Sequence, residues 1–214
     1  RFIELTQSSA SKPAYRVNAG GHSISFDASG VHMAQPVPGG ATQSKAIGLH
    51  SGLSYGFEGG NQVAPQALNP SATAYHWLVG PQSEWRTHLK GFGELAYRNV
   101  WPGIDAVFKS DAQGLKYQFE VASGAQAAKV QLRISGAQSA RIASDGALEW
   151  TLNGVTLRDA APYVYQQQGS QRATVSSSYR LQQVDASTWL VGFNLGSYDP
   201  QLPLVIDPAW TGYS

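Results

Sequence analysis

Short runs in which apolar residues alternate with polar or small ones recur along the chain. Val31-His32-Met33, Lys116-Tyr117-Gln118-Phe119-Glu120-Val121, Lys129-Val130-Gln131-Leu132-Arg133-Ile134 and Trp189-Leu190-Val191-Gly192-Phe193-Asn194-Leu195 are the clearest. A period of two puts every second side chain on one face, so each run predicts a strand with a core face and an outer face. Apolar positions at the three-four spacing of a helix are not sustained anywhere, and Gly or Pro interrupts nearly every candidate.

Between the runs lie Asp27-Ala28-Ser29-Gly30, Ser110-Asp111-Ala112-Gln113-Gly114, Ala143-Ser144-Asp145-Gly146 and Leu152-Asn153-Gly154. Asn and Asp supply turn-forming side chains and Gly accepts positive φ, so these read as hairpin turns. Strand, turn and strand repeated about every 8 to 12 residues predicts an all-β fold, a β-sandwich of mainly antiparallel strands. Residues 34–73 break the rhythm with Pro36, Pro38, Gly39, Gly40, Gly59, Gly60, Pro65 and Pro70. They read as a loop-rich, irregular insertion between an N-terminal meander, 1–33, and a main β region, 74–208. The expectation is one domain over 1–208, with 209–214 starting a linker to a following domain.

Charge narrows the partners. Charged residues make up 14% of the 214-residue chain, against about 25% in ordinary soluble domains, and neutral amides and hydroxyls fill the polar positions. Fifteen basic and 14 acidic residues are scattered without runs and leave a formal charge of +1. No basic stripe is available for nucleic acid or an anionic membrane surface, and the longest apolar runs fall far short of the roughly 20 residues of a spanning helix. With no cysteine, disulfides, thiolate metal sites and a Cys nucleophile are excluded. The opening at Arg1 leads to the expectation that a signal peptide has been removed or that the chain is part of a longer protein.

From Tyr75 onward the motifs become specific. They are Tyr75-His76-Trp77-Leu78-Val79-Gly80 with Ser83-Glu84-Trp85-Arg86-Thr87; Val100-Trp101-Pro102-Gly103-Ile104-Asp105-Ala106-Val107-Phe108 followed by Leu115-Lys116-Tyr117-Gln118-Phe119; Pro162-Tyr163-Val164-Tyr165-Gln166; and Gly196-Ser197-Tyr198-Asp199 leading to Pro203-Leu204-Val205-Ile206-Asp207-Pro208. In order and spacing this series resembles the bacterial domain of uncharacterised function that precedes SBBP seven-bladed β-propeller repeats in large secreted proteins. The resemblance covers the last two thirds of the chain, and residues 1–74 agree only loosely. It implies secretion or a cell-surface location, a β fold and a multidomain context with propeller repeats as neighbours. It implies no established activity.

Several residues carry chemistry worth placing. Trp101, Pro102, Gly103 and Asp105 read as a structural corner: Pro fixes φ, Gly accepts strained dihedrals and the carboxylate accepts nearby N–H groups. Leu204, Val205 and Ile206 form a strand bracketed by prolines, read as the exit from the domain or as an assembly strand that adds to a neighbouring subunit. Tyr75, Trp77 and Trp85 are the nearest aromatic cluster and the candidate carbohydrate-stacking set. The five His show no H-E-x-x-H pattern or zinc-like pair, and no Asp/Asn-rich calcium loop is present. Neither a G-x-S-x-G elbow nor a phosphate-binding Gly loop occurs. No catalytic, metal or cofactor residue is therefore assigned, although two carboxylates brought together in space would leave no linear signature.

The resulting expectation is a non-catalytic structural or adhesion module of a secreted or surface protein, presenting a binding or assembly surface. The alternatives are a carbohydrate-binding module that uses exposed aromatics and a filament subunit assembled by strand addition. Its partners would be following domains of the same polypeptide, a glycan or a neighbouring subunit.

Overall fold

Alternation in the sequence becomes alternation in burial. Along His22–Asp27 every second residue is buried, with Ile24 and Phe26 fully inside. The computed structural model describes residues 1–5, 15–19, 22–34, 52–78, 81–111, 114–169, 171–208 and 210–213. Its strands are β1 (Phe2–Glu4), β2 (Tyr15–Ala19), β3 (His22–Asp27), β4 (Gly30–Ala34), β5 (Gly52–Phe57), β6 (Gln66–Trp77), β7 (Arg86–Trp101), β8 (Ile104–Asp111), β9 (Gly114–Val121) and β10 (Gln131–Ser135). They continue as β11 (Ser139–Ile142), β12 (Leu148–Leu152), β13 (Val155–Asp159), β14 (Tyr163–Gln168), β15 (Gln171–Val175), β16 (Ser177–Asp185), β17 (Thr188–Leu195), β18 (Leu204–Asp207) and β19 (Trp210–Tyr213). Two short 3-10 turns, Gln82–Glu84 and Ala127–Lys129, are the only helical elements among the described residues. No helix there is long and apolar enough to cross a membrane.

The fold turns on β7. Phe92 of β7 pairs with both Phe2 of β1 and Pro70 of β6, and Glu94 pairs with both Lys109 of β8 and Leu68 of β6. A strand has two edges, so β6 lies on one edge while β1 and β8 share the other, end to end. The sheet forks there. One layer runs β7-β8-β9-β18-β14-β15, and the second runs β1-β2-β3-β4-β5-β10-β17-β16. Because both leave the same edge, their inner faces meet in a sandwich.

Aromatic contacts span the two layers. Phe26 of β3 meets Phe108 of β8 at 5.2 Å, Phe57 of β5 meets Tyr97 of β7 at 5.0 Å, and Phe119 of β9 meets Phe193 of β17 at 6.1 Å. Opposite the fork, β15 ends at Val175 and β16 begins at Ser177, so a single residue carries the chain from one layer to the other. The small sheet β11-β12-β13-β19 adds Leu148, Trp150 and Leu157 to the same core. Every strand pairing among the described residues is antiparallel. The molecule is an all-β sandwich.

The turn between β12 and β13 shows how local chemistry fixes register. Asn153 and Gly154 both take positive φ, 49° and 78°, the two-residue form whose twist matches that of the flanking strands.

The stretch 34–73, read from sequence as a loop-rich insertion, is described in part. Within its described part, β5 is an interior strand between β4 and β10, and β6 begins at Gln66. Glycines in Gly52-Leu53-Ser54-Tyr55-Gly56-Phe57 look like strand breakers in sequence. In the sheet, a Cβ on Gly52 would lie 2.1 Å from the Met33 carbonyl oxygen, so the glycine allows close approach of neighbouring backbones. Residues 35–51 lie outside the described residues.

Candidate functional site

The corner residues form the hairpin between β7 and β8. Trp101 pairs with Ile104 across a Pro102-Gly103 turn, and Gly103 takes φ +74° as such a turn requires. Tyr97 pairs with Ala106, so Arg98, Asn99 and Val100 together oppose Asp105 alone, which makes a wide bulge. Asp105 Oδ1 accepts the Asn99 N–H at 2.7 Å, and Oδ2 accepts Arg98 Nη1 at 2.6 Å. The Asn99 side chain in turn accepts the Gly103 N–H at 3.1 Å. Trp101 is buried and donates its indole N–H to the Glu58 carbonyl at 3.0 Å.

Leu204, Val205 and Ile206 are the body of β18. Val205 pairs with Tyr165 of β14 on one edge and with Glu120 of β9 on the other, and Leu204 and Ile206 are paired on both sides as well. Both backbone edges of this strand are used within the chain, which leaves no free edge for strand addition at Leu204, Val205 or Ile206. The prolines that bracket it in sequence mark where pairing stops and not which neighbours the strand has.

The aromatic set Tyr75, Trp77 and Trp85 sits on the β6–β7 hairpin, with each ring in a different setting. Tyr75 lies across Gly91, where an added Cβ would meet its ring at 2.2 Å. Trp77 is capped by the Arg16 guanidinium at 5.0 Å from its ring centre. Trp85 is 41% exposed, beyond the start of β7. Tyr75 and Trp77 each have one side of the ring against the protein itself. Among the described residues no cluster of three His, Asp or Glu is placed to hold a metal ion.

A different surface emerges on the outside of the first layer. Cross-strand partners share a face, and the pairs Asp105–Glu120, Glu120–Val205, Val205–Tyr165 and Tyr165–Thr174 join into one row across β8, β9, β18, β14 and β15. Four strand spacings give it a span of roughly 19 Å. A groove of about 460 Å³ opens at the β8–β9–β18 end of this row, lined in part by Asn99, Asp105, Glu120, Pro203 and Val205. Two carboxylates directly opposite one another normally destabilise a sheet, and here the Arg98 guanidinium beside Asp105 offsets them.

On β14 and β15, outside the groove lining, three planar groups are stacked. The rings of Tyr163 and Tyr165 lie 5.3 Å apart at 31°, and the Arg172 guanidinium rests over Tyr165 at 4.2 Å. Tyr163 is 41% exposed, whereas Tyr165 is largely covered. Asp207, the cross-strand partner of Tyr163, is half-buried; burial pushes its carboxyl above the ordinary range against the pull of Lys109, Lys116 and Arg172.

Sequence reasoning did not select Tyr163, Tyr165, Arg172 or Glu120. The signal was present in part: Tyr-Val-Tyr places two rings on one face by period two, and the alternation of 116–121 puts Glu120 opposite Phe119. What was missing was the neighbour of each strand, since β18 arrives from 83 residues beyond β9 and completes the row.

A family model described as a domain of unknown function, DUF7948, matches residues 2–209. No curated protein and no solved structure matches the chain.

Proposed function

The chain belongs to the family of the domain of unknown function DUF7948, and from that premise we propose that it is a non-catalytic binding module that presents the outer face of its first layer. One observation carries the reading: the row from Asp105 to Thr174 with its groove and stacked tyrosines. It gathers polar and aromatic groups on one outer face. Surface patches of this composition are the usual form of a recognition site.

The setting we propose is a secreted or cell-surface protein of bacterial type, with propeller repeats among the neighbouring domains. Supporting this are the ordered motifs from Tyr75 to Pro208 and the low charge, 14% of the chain. A rigid sandwich with paired strands suits such a role, because binding to a preformed face costs little ordering entropy.

The test pairs binding with turnover. Purified chain is applied to a printed glycan array and to immobilised mucin, collagen and fibronectin, while a panel of polysaccharides is assayed for released reducing sugar. The expected result is retention on at least one surface, reduced when Tyr163 and Glu120 are replaced, with no sugar released. Release of sugar that disappears in Glu120→Gln would overturn the non-catalytic reading.

A further inference from the structure

The outer face mixes three kinds of group in a fixed order, and the order specifies a ligand chemistry. On one side of the groove stand the carboxylates of Asp105 and Glu120, joined in the lining by Asn99. Past Val205, outside the groove lining, the row reaches Tyr165, with Arg172 over it and Tyr163 stacked on it further along β14, opposite Asp207. Pro203 and Val205 form an apolar strip between them. Across the strands the ligand therefore meets acceptors, then an apolar wall, then an aromatic plane flanked by a cationic donor.

Charge selects further. Asp105 is held by Arg98 at 2.6 Å, and the Glu120 side chain accepts from Gln118 at 2.7 Å. Arg172 brings the opposite sign to the other end. Lys109 and Lys116 share this outer face and, with Arg172, act on the Asp207 carboxylate beside Tyr163, so both signs are interleaved and the face builds no one-signed field that favours a polyanion or a polycation. A neutral ligand rich in hydroxyls is complementary: its hydroxyls donate to carboxylates and accept from a guanidinium, and the flat C–H face of a pyranose ring stacks on an aromatic plane.

Resting on the outer face as the binding surface, we propose that it binds a neutral polysaccharide laid across β8, β9, β18 and β14, with one sugar ring on Tyr163 and others hydrogen-bonded along the Glu120 side of the groove. The three strand spacings from β8 to β14, roughly 14 Å, fit a few linked sugars rather than one. Tyr163 supplies the open ring, because Arg172 already covers Tyr165. Its hydroxyl lies 3.5 Å from Thr174 Oγ1, which helps to set the ring's orientation.

The experiment uses the full chain and measures retardation in native gels containing cellulose derivatives, xylan, glucomannan, soluble starch, alginate or polygalacturonate. Isothermal titration with the matching oligosaccharides follows. The expected result is binding to at least one neutral polymer, weakened about tenfold by Tyr163→Ala and about fivefold by Glu120→Ala, with Tyr163→Phe close to the parent. Unchanged thermal transitions in these variants separate lost contact from lost fold. Binding only to alginate or polygalacturonate overturns the neutral class. Neutral binding that survives both Tyr163→Ala and Glu120→Ala overturns the site. Retention on immobilised protein with no polysaccharide binding overturns this inference while leaving the outer face as a binding surface intact.

Discussion

Asp105 and Asn99 hold each other across the β7–β8 bulge: the Asp105 carboxylate accepts the Asn99 N–H at 2.7 Å, and Asn99 sits at φ +51°. That left-handed backbone is tolerated by Asn because its short side chain finds a local partner, here the Gly103 N–H. The same carboxylate engages Arg98. Asp105→Ala removes both acceptors and is expected to cost about 1 to 2 kcal/mol, while Asp105→Asn keeps one and costs less than about 1 kcal/mol. Urea midpoints at neutral pH measure both. Equal effects would show that the bulge is held by something other than the carboxylate.

Alkali should expose a second feature of the core. Burial pushes the Tyr97 phenol well above its ordinary range, aided by the nearby Asp27 charge, and it does the same to Tyr117, aided by Asp159. Tyr179 is shifted in the same direction by burial. Free phenols ionise near pH 10, so above that pH the unfolded chain loses protons that the folded chain keeps. Stability from these groups is complete below about pH 10 and lost as pH rises beyond it. An absorbance titration should show at least Tyr97, Tyr117 and Tyr179 of the ten tyrosines ionising only together with loss of the fold. Gradual titration of all ten before unfolding would contradict this packing.

Asp207 behaves in the opposite sense to a salt-bridged carboxylate. Burial raises its carboxyl, and Lys109, Lys116 and Arg172 only partly reverse the shift. An unfolded Asp ionises first as pH rises, so the buried group costs stability above the ordinary carboxylate range and nothing well below it. Asp207→Asn should therefore stabilise the chain at neutral pH, by less than about 1 kcal/mol because the group is only half-buried. At about pH 3, below the ordinary value, the gain should vanish. Urea midpoints for both chains at the two pH values test it, and a gain that persists in acid would rule out the charge as its source.

The fold class was legible because it rests on local signals. Runs such as 116–121 and 189–195 carry their faces in their own alternation, and Asn153-Gly154 carries its turn geometry in two residues. Strand partners were not legible. The fork at β7 depends on Phe92 pairing with Phe2 from 90 residues earlier, and no periodicity encodes that distance. The same holds for the site. Trp77 is prominent in sequence, yet it is capped by Arg16 from β2. Tyr163 gains meaning only once β18 brings Val205 and Asp207 beside it.

The position of β18 leads to the last prediction, which sets a structural role against an assembly role. Val205 lies in a strand whose neighbours are β14 and β9, and β9 carries the core residues Tyr117 and Phe119. Proline at 205 removes a ladder N–H inside the sheet and leaves its carbonyl partner unpaired, which costs about 1 to 3 kcal/mol before any clash of the ring with the neighbouring strand. Small domains hold only about 5 to 15 kcal/mol in total. Val205→Pro should therefore lower the thermal midpoint sharply or abolish cooperative unfolding, whereas Val205→Thr, on the outer face, should cost less than about 1 kcal/mol. Differential scanning calorimetry with light scattering separates the roles. A Val205→Pro chain that keeps its transition and loses only self-association would make the strand an assembly element after all.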